Sequence, residues 1–345
     1  MSFSLRLAGD HDGRRIDRAL RSIWPDVPLS AIMRALRKGE VRLDSIRVRK
    51  PNERVRGGQE LFVPWEAPGE RPAARPLSPV PLLWRGEGTL IVNKPAYLLV
   101  QPDVKGGDSV ITRVWAMMES EAPEGPGDTS RPRPAAVHRL DRNTTGALAV
   151  ALRGDALRAL EDLFRTRRVR KRYLAIVEGY APDLLNIEAP LLRETDPDAP
   201  EGRVSCRVRV AKREEGGKPA LTRCRRLAWD DVLTANDMLS LVSLELMTGR
   251  THQARVHMAH IGCPILGDRK YGDFLINRRW KHVHRPLLHA FELSFPDDVP
   301  PALSELAGRT FRAPFPPDMR AIVEERGWRV PELEAEREGK TDEVE

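Results

Sequence analysis

Cysteine is scarce: Cys206, Cys224 and Cys263 are the three among 345 residues. An odd number at wide spacing argues against a disulfide framework and for a reducing compartment. No Cys-x-x-Cys pair offers a zinc site. Long apolar runs are missing too. None approaches the roughly 18 residues that would span a bilayer, and the opening Met-Ser-Phe-Ser-Leu-Arg has no apolar signal core. A soluble cytoplasmic protein with no membrane contact is expected. There is no Gly-x-Gly-x-x-Gly loop and no His-Glu-x-x-His pair. On a helix, His252 and His260 would sit roughly 80° apart but His252 and His257 about 140°, so these histidines do not converge on a metal. Neither a metal nor a nucleotide cofactor is expected.

What the chain does have is positive charge. Fifty-seven Lys and Arg face 50 Asp and Glu, and the last fifteen residues alone carry −5, which leaves +12 on the rest. So basic a body suits a polyanionic partner, nucleic acid foremost.

The chain is organised around residues 137–151, which pass from charged to small and apolar. Asn143, Thr144, Thr145 and Gly146 read as a tight turn. The turn places Asp141 on a loop between Arg139 and Arg142, just ahead of a buried strand. Loops held by a rigid strand are where chemistry is usually placed. A carboxylate between two cations stays ionised at neutral pH, which suits a nucleophile or base and not a general acid. A surface ion pair on a β-turn is the plain alternative.

His138-Arg139-Leu140-Asp141, followed by Thr144, Thr145 and Gly146, resembles the His-Arg-Leu-Asp-x-x-Thr-Ser-Gly signature of the RluA-type pseudouridine synthases, with Thr145 for Ser. Further motifs resemble that family in order. Asn93-Lys94-Pro95-Ala96-Tyr97 closes a strand. Lys171-x-Tyr173-x-Ala175 opens another. In Gly249-Arg250-Thr251-His252-Gln253-Ala254-Arg255-Val256-His257, Thr251 reads as the N-cap of a helix over 252–261 that Gly262 stops. Leu287 to Phe295 reads as the final strand.

The resemblance is nearest to the bacterial large-subunit ribosomal RNA enzymes. It implies an α/β (α+β) catalytic fold over 81–325, with a long, mainly antiparallel bent sheet and a central cleft. It implies that Asp141 is the catalytic residue, that Arg255 pairs with it and that Tyr173 stacks on the target uracil. Arg139, Arg142, Asn143, Arg250, His252 and Gln253 are the matching candidates for RNA contact. The implied reaction isomerises uridines to pseudouridine without a cofactor, the substrate being 23S ribosomal RNA, and a monomer is expected. Transfer RNA as the substrate and a non-catalytic ribosome-assembly factor are the alternatives. The assembly factor would need Arg37 or Lys38 but not Asp141.

In front, residues 10–65 resemble an S4-type RNA-binding domain, a helix–helix–hairpin unit with 13 bases and 8 acids. Ser30 is a plausible N-cap of its second helix and Gly39 the terminator. Arg34, Arg37, Lys38 and Arg42, with Arg47 and Arg49, are expected along one side against RNA phosphates. Residues 66–80 read as a Pro-rich linker, 121–134 as a disordered insert and 331–345 as an acidic disordered tail. Between the signature and Tyr173, Asp155 reads as the cap of a helix with Leu157, Leu160 and Leu163 on one face. The basic run Arg165 to Arg172 then reads as a phosphate grip beside the site.

Overall fold

A computed structural model describes residues 2–24, 27–66, 78–102, 107–121, 133–195, 206–230 and 238–330. Most of the expected linker, most of the expected insert and the acidic tail lie outside these residues.

The N-terminal unit holds β1 (Phe3–Arg6), α1 (Ile16–Ile23), α2 (Leu29–Lys38), β2 (Arg42–Leu43), β3 (Ile46–Arg47) and β4 (Glu60–Val63). Its sheet runs β1-β4-β2-β3. Ile16, Leu20, Ile32 and Leu36, at helical spacing, are fully buried against Val41, Leu61 and Val63. Gly39 ends α2 at φ 70, the left-handed conformation that glycine takes without strain. The β2–β3 turn is built from two left-handed residues, Asp44 and Ser45, at φ 47 and 69. Asp44 meets that cost by accepting from the Glu60 amide and the Gln59 side chain. Ser30 is not the cap of α2: Pro28 holds that position, and proline's fixed φ starts the helix two residues earlier.

The larger unit holds β5 (Leu82–Arg85), β6 (Thr89–Lys94), α3 (Val110–Ser120), β7 (Ala135–Ala136), β8 (Thr145–Ala151), α4 (Gly154–Arg165), β9 (Arg170–Glu178), β10 (Leu184–Glu188), β11 (Leu191–Thr195), β12 (Cys206–Val210), β13 (Leu221–Trp229), β14 (Leu239–Leu246), α5 (Gln253–His260), α6 (Phe274–Arg279), β15 (Leu288–Ser294), β16 (Thr310–Arg312) and α7 (Pro317–Glu325). Its main sheet runs β10-β13-β14-β9-β15-β8-β6-β5, antiparallel except where β15 meets β8, with β16 beside β15 and β7 beside β8. Alternate residues of one strand enter different cores. Tyr173, Ala175 and Val177 of β9 pack with Leu140, Ala254 and Met258. Leu174 and Ile176 pack with Phe291, Phe315 and Met319. On β8, Ala147 and Ala149 face Leu160 and Leu163 of α4.

Four local expectations are corrected here. Thr145 and Gly146 begin β8 rather than completing a turn; Gly146 stands at φ 113, and a Cβ there would lie 2.2 Å from the Ala290 carbonyl oxygen. The glycine serves the close approach of β15. Asp155 is not the cap of α4: it sits in the first turn, held by Arg153, which occupies the cap position. Leu288–Ser294 is not the last strand, since β16 follows and pairs with it. Part of the basic run is structural: Arg170 and Arg172 lie within β9 and, with Arg312, converge on Glu292, whose side chain is 3% exposed.

Candidate active site

Asp141 stands on the turn that feeds β8, its carbonyl accepting from the Thr144 amide at 3.0 Å. The next three carbonyls of that turn are each bound by a buried cation. Lys94 Nζ donates to Arg142 O at 3.0 Å, to Thr144 O at 2.8 Å and to its neighbour Pro95 O at 2.8 Å. Arg285 Nη1 donates to Asn143 O at 3.3 Å. Lys94 is 0% exposed and Arg285 3%. Arg285 is itself anchored by two 2.7 Å bonds to Asp318 of α7. The turn carrying Asp141 is thus bolted to β6 and to the C-terminal helix. Burial, offset in part by the Asp141 charge, lowers the Lys94 ammonium to about 7.

Arg255, on α5, reaches the same carboxylate. Its Nη1 donates to Asp141 Oδ2 at 3.2 Å, while Nε and Nη2 hold Asp268 at 2.7 and 2.8 Å. One planar fork therefore spans two carboxylates, a geometry open to guanidinium and closed to an ammonium. Asp268 is fully buried, and its Oδ1 also accepts from the Lys270 and Tyr271 amides. The Tyr271 ring lies 5.0 Å from the guanidinium carbon.

His252 approaches from the cap of α5, in the left-handed conformation at φ 54. Its Nε2 is 3.8 Å from Asp141 Oδ2, and its Nδ1 is 2.7 Å from the Tyr271 hydroxyl, which accepts from the Val208 amide at 3.0 Å. Burial, opposed by the nearby carboxylates, lowers His252 to about 4, so the ring is neutral at neutral pH. The phenol proton of Tyr271 is free for Nδ1, which puts the imidazole proton on Nε2, facing Asp141. On β9, Tyr173 is 7% exposed, in the same apolar cluster as Leu140. Burial first, and the Asp141 charge second, push its phenol above the usual range. It stays protonated, able to donate but not to act as a base. The Asp141 side chain, 21% exposed, remains open to a ligand.

This is a carboxylate with a fixed guanidinium, a neutral imidazole and a protonated phenol around it. A family model described as RNA pseudouridylate synthase matches residues 88–260, which contain Asp141, Tyr173, His252 and Arg255. The chain belongs to that family. The synthase is 32% identical over 332 residues to the ribosomal large subunit pseudouridine synthase C of Pasteurella multocida (strain Pm70), covering 92% of each chain. It is 33% identical over 303 residues to the Escherichia coli (strain K12) protein of the same name, covering 84% of this chain and 87% of that one. Among solved structures, human RNA pseudouridylate synthase domain containing 4 superposes with a TM-score of 0.52 at 25% identity, covering 72% of this chain and 93% of that one. The mixed α/β fold with its large, mainly antiparallel sheet is shared, and the chain is an RNA pseudouridine synthase.

The residues singled out in the sequence separate in the synthase. Asp141, Arg255, Tyr173 and His252 come together. Arg139 and Arg142 are exposed and neither pairs with Asp141; Arg142 Nε donates to Tyr97 O at 3.1 Å. The charge partner comes instead from 114 residues away, because a tight turn splays neighbouring side chains while α5 can aim one at it. Asn143 offers its carbonyl to Arg285, as above. Arg250 is exposed, its Nε on Pro219 O at 3.2 Å. Gln253 is not an RNA contact: it is 2% exposed, and its amide is spent on Thr248, Arg250, Leu221 and Thr222. Thr251 does not cap α5: His252 holds the cap position, in the left-handed conformation. His257 is buried between Thr222 and Ala189, and among the described residues no group of His, Cys, Asp and Glu could hold a metal ion. Arg34, Arg37, Lys38 and Arg42 are exposed on α2 and β2 of the N-terminal unit. Sequence reasoning missed Asp268, Tyr271 and Arg285. Asp268 and Tyr271 had only the Gly267-Asp268-x-x-Tyr271-Gly272 spacing as a signal, which reads as a turn, and Arg285 had none.

Proposed function

We propose that this synthase converts uridines of large-subunit ribosomal RNA to pseudouridine, with Asp141 starting the reaction, Arg255 holding it and Tyr173 packing on the uracil. The observation that carries this reading is the Arg255 fork joining Asp141 to a fully buried second carboxylate. The fork fixes the attacking oxygens without neutralising them by proton transfer. In the reaction the N1–C1′ bond breaks, the base turns, a C5–C1′ bond forms, and the proton lost from C5 is balanced by one gained at N1. Atoms and electrons balance within the nucleoside, so Asp141 can add to C1′ or to C6 and leave unchanged. The uridine must leave its stack to reach a carboxylate in this setting, and the exposed Arg139 and Arg142 flank the point of entry. The substrate assignment rests on the two bacterial relatives, whose names specify the large ribosomal subunit. The exposed basic residues of the N-terminal unit supply phosphate contacts that add affinity without reading sequence.

The test is purified protein with 23S ribosomal RNA transcript, scored for pseudouridine by carbodiimide mapping. Wild type is expected to modify a small set of uridines, and Asp141→Asn to bind the transcript as tightly while forming none. Modification by the Asp141→Asn protein would overturn the catalytic assignment. Modification of transfer RNA alone would overturn the substrate.

A further inference from the structure

Between the N-terminal unit and α4 lies a cleft of about 690 Å³. One wall carries Arg14, Arg15, Arg18 and Arg54, and the other carries Arg133, Arg158 and Arg165. Seven guanidinium groups face two lining carboxylates, Glu161 and Asp162. The second wall is formed mostly by a single face of α4, since Gly154, Leu157, Arg158, Glu161, Asp162 and Arg165 recur at spacings of three and four, while Leu160 and Leu163 are buried on the other side. The units touch where Arg158 Nη1 donates to Asp12 O at 2.8 Å. Arg54 donates to Gly13 O at 2.6 Å, and Arg15 is held by Asp17 at 2.8 Å. Each of these arginines is oriented by its bond yet keeps further N–H donors. Beyond Arg54 a second hollow of about 560 Å³ continues past Lys50 and Arg56.

The α4 side of the cleft touches the segment that leads into the catalytic loop. Phe164, next to Arg165, stacks on His138 with centroids 4.4 Å apart, and His138 precedes Asp141 by three residues. Yet α4 packs on the sheet face opposite to Tyr173, so a chain lying in the cleft reaches Asp141 only by passing around residues 137–141.

We infer that this cleft holds the sugar–phosphate backbone of the RNA flanking the target uridine, so that the N-terminal unit and α4 grip one strand jointly. The inference rests on the RNA substrate proposed above. It differs from an independent N-terminal binding unit because three of the seven arginines belong to the catalytic unit. It also uses α1 and α4 rather than the α2 and β2 side.

The test combines Arg18→Glu on one wall and Arg165→Glu on the other, neither of which belongs to the catalytic constellation. Binding of the 23S transcript is measured by filter retention from low to moderate salt, alongside pseudouridine formation. Each single variant is expected to weaken binding about tenfold and to lower the slope of log K against log salt by about one, the value of one lost phosphate contact. KM is expected to rise and kcat to hold within twofold. Unchanged affinity and slope in the double variant would overturn the inference. So would a loss confined to Arg18→Glu with Arg165→Glu silent, because the N-terminal unit would then bind alone. If wild type bound the transcript in this way but formed no pseudouridine in it, the proposed substrate would fail and the cleft would stand.

Discussion

Replacing Arg255 by lysine keeps the charge and removes the fork. The guanidinium makes two bonds to Asp268, at 2.7 and 2.8 Å, and one to Asp141, at 3.2 Å. An ammonium on a flexible stem can satisfy one of these carboxylates. Asp268 is the buried one and has the shorter bonds, so the lysine is expected to stay with it and leave Asp141 without its donor. A hydrogen bond to a charged group contributes about 1.5–3 kcal/mol, so the chemical step should slow by roughly 10- to 100-fold. Asp268 keeps the Lys270 and Tyr271 amides, which limits the stability loss to about 1–3 kcal/mol. Arg255→Ala removes the cation from both carboxylates and should cost about 3–5 kcal/mol. The assay is single-turnover pseudouridine formation with enzyme in excess, read beside the urea midpoint of each variant. If Arg255→Lys loses the expected stability yet reacts within twofold of wild type, Arg255 serves folding only and the positioning argument fails.

Lys94→Met keeps length and removes the donor to the Pro95, Arg142 and Thr144 carbonyls. It should cost about 2–4 kcal/mol in urea unfolding and slow single-turnover chemistry at least tenfold with KM little changed; a KM effect alone would place Lys94 in binding. Gly146→Ala puts a Cβ 2.2 Å from the Ala290 carbonyl oxygen, so thermal unfolding should drop by several degrees or the protein should fail to fold, whereas an unshifted Tm would mean that β8 and β15 can part. Glu178 is 3% exposed, and burial, with nearby Asp273 and Asp268, raises its carboxyl from 4.5 to about 7. Between those values the folded state binds the extra proton, so stability falls as pH rises from 4.5 through 7. Glu178→Gln should flatten that segment of the Tm–pH curve and gain at most about 3 kcal/mol at pH 8; a parallel curve would refute the shift.

Much of this protein is legible in its residue order. The apolar spacing of Ile16, Leu20, Ile32 and Leu36 makes two packed helices, and Gly39 ends the second. The run from Thr145 to Ala151 has no polar side chain beyond its first residue and forms a strand buried on both faces. The signature around Asp141 and the motifs that carry Tyr173 and Arg255 can be matched to the family because each is a short local run. The fold decided which cations mattered. Arg139 and Arg142 flank Asp141 in sequence and do not pair with it, while Arg255 and Lys94 arrive from distant elements. Gln253 lies inside a matching motif yet is sealed under Leu221, and Asp268 lies in an ordinary turn yet anchors the fork. Periodicity and turn chemistry act within a few residues, so they fix elements and their buried faces. Partnership among charges depends on which elements the sheet order brings side by side and on how deeply each group is buried, and those are properties of the packed chain alone.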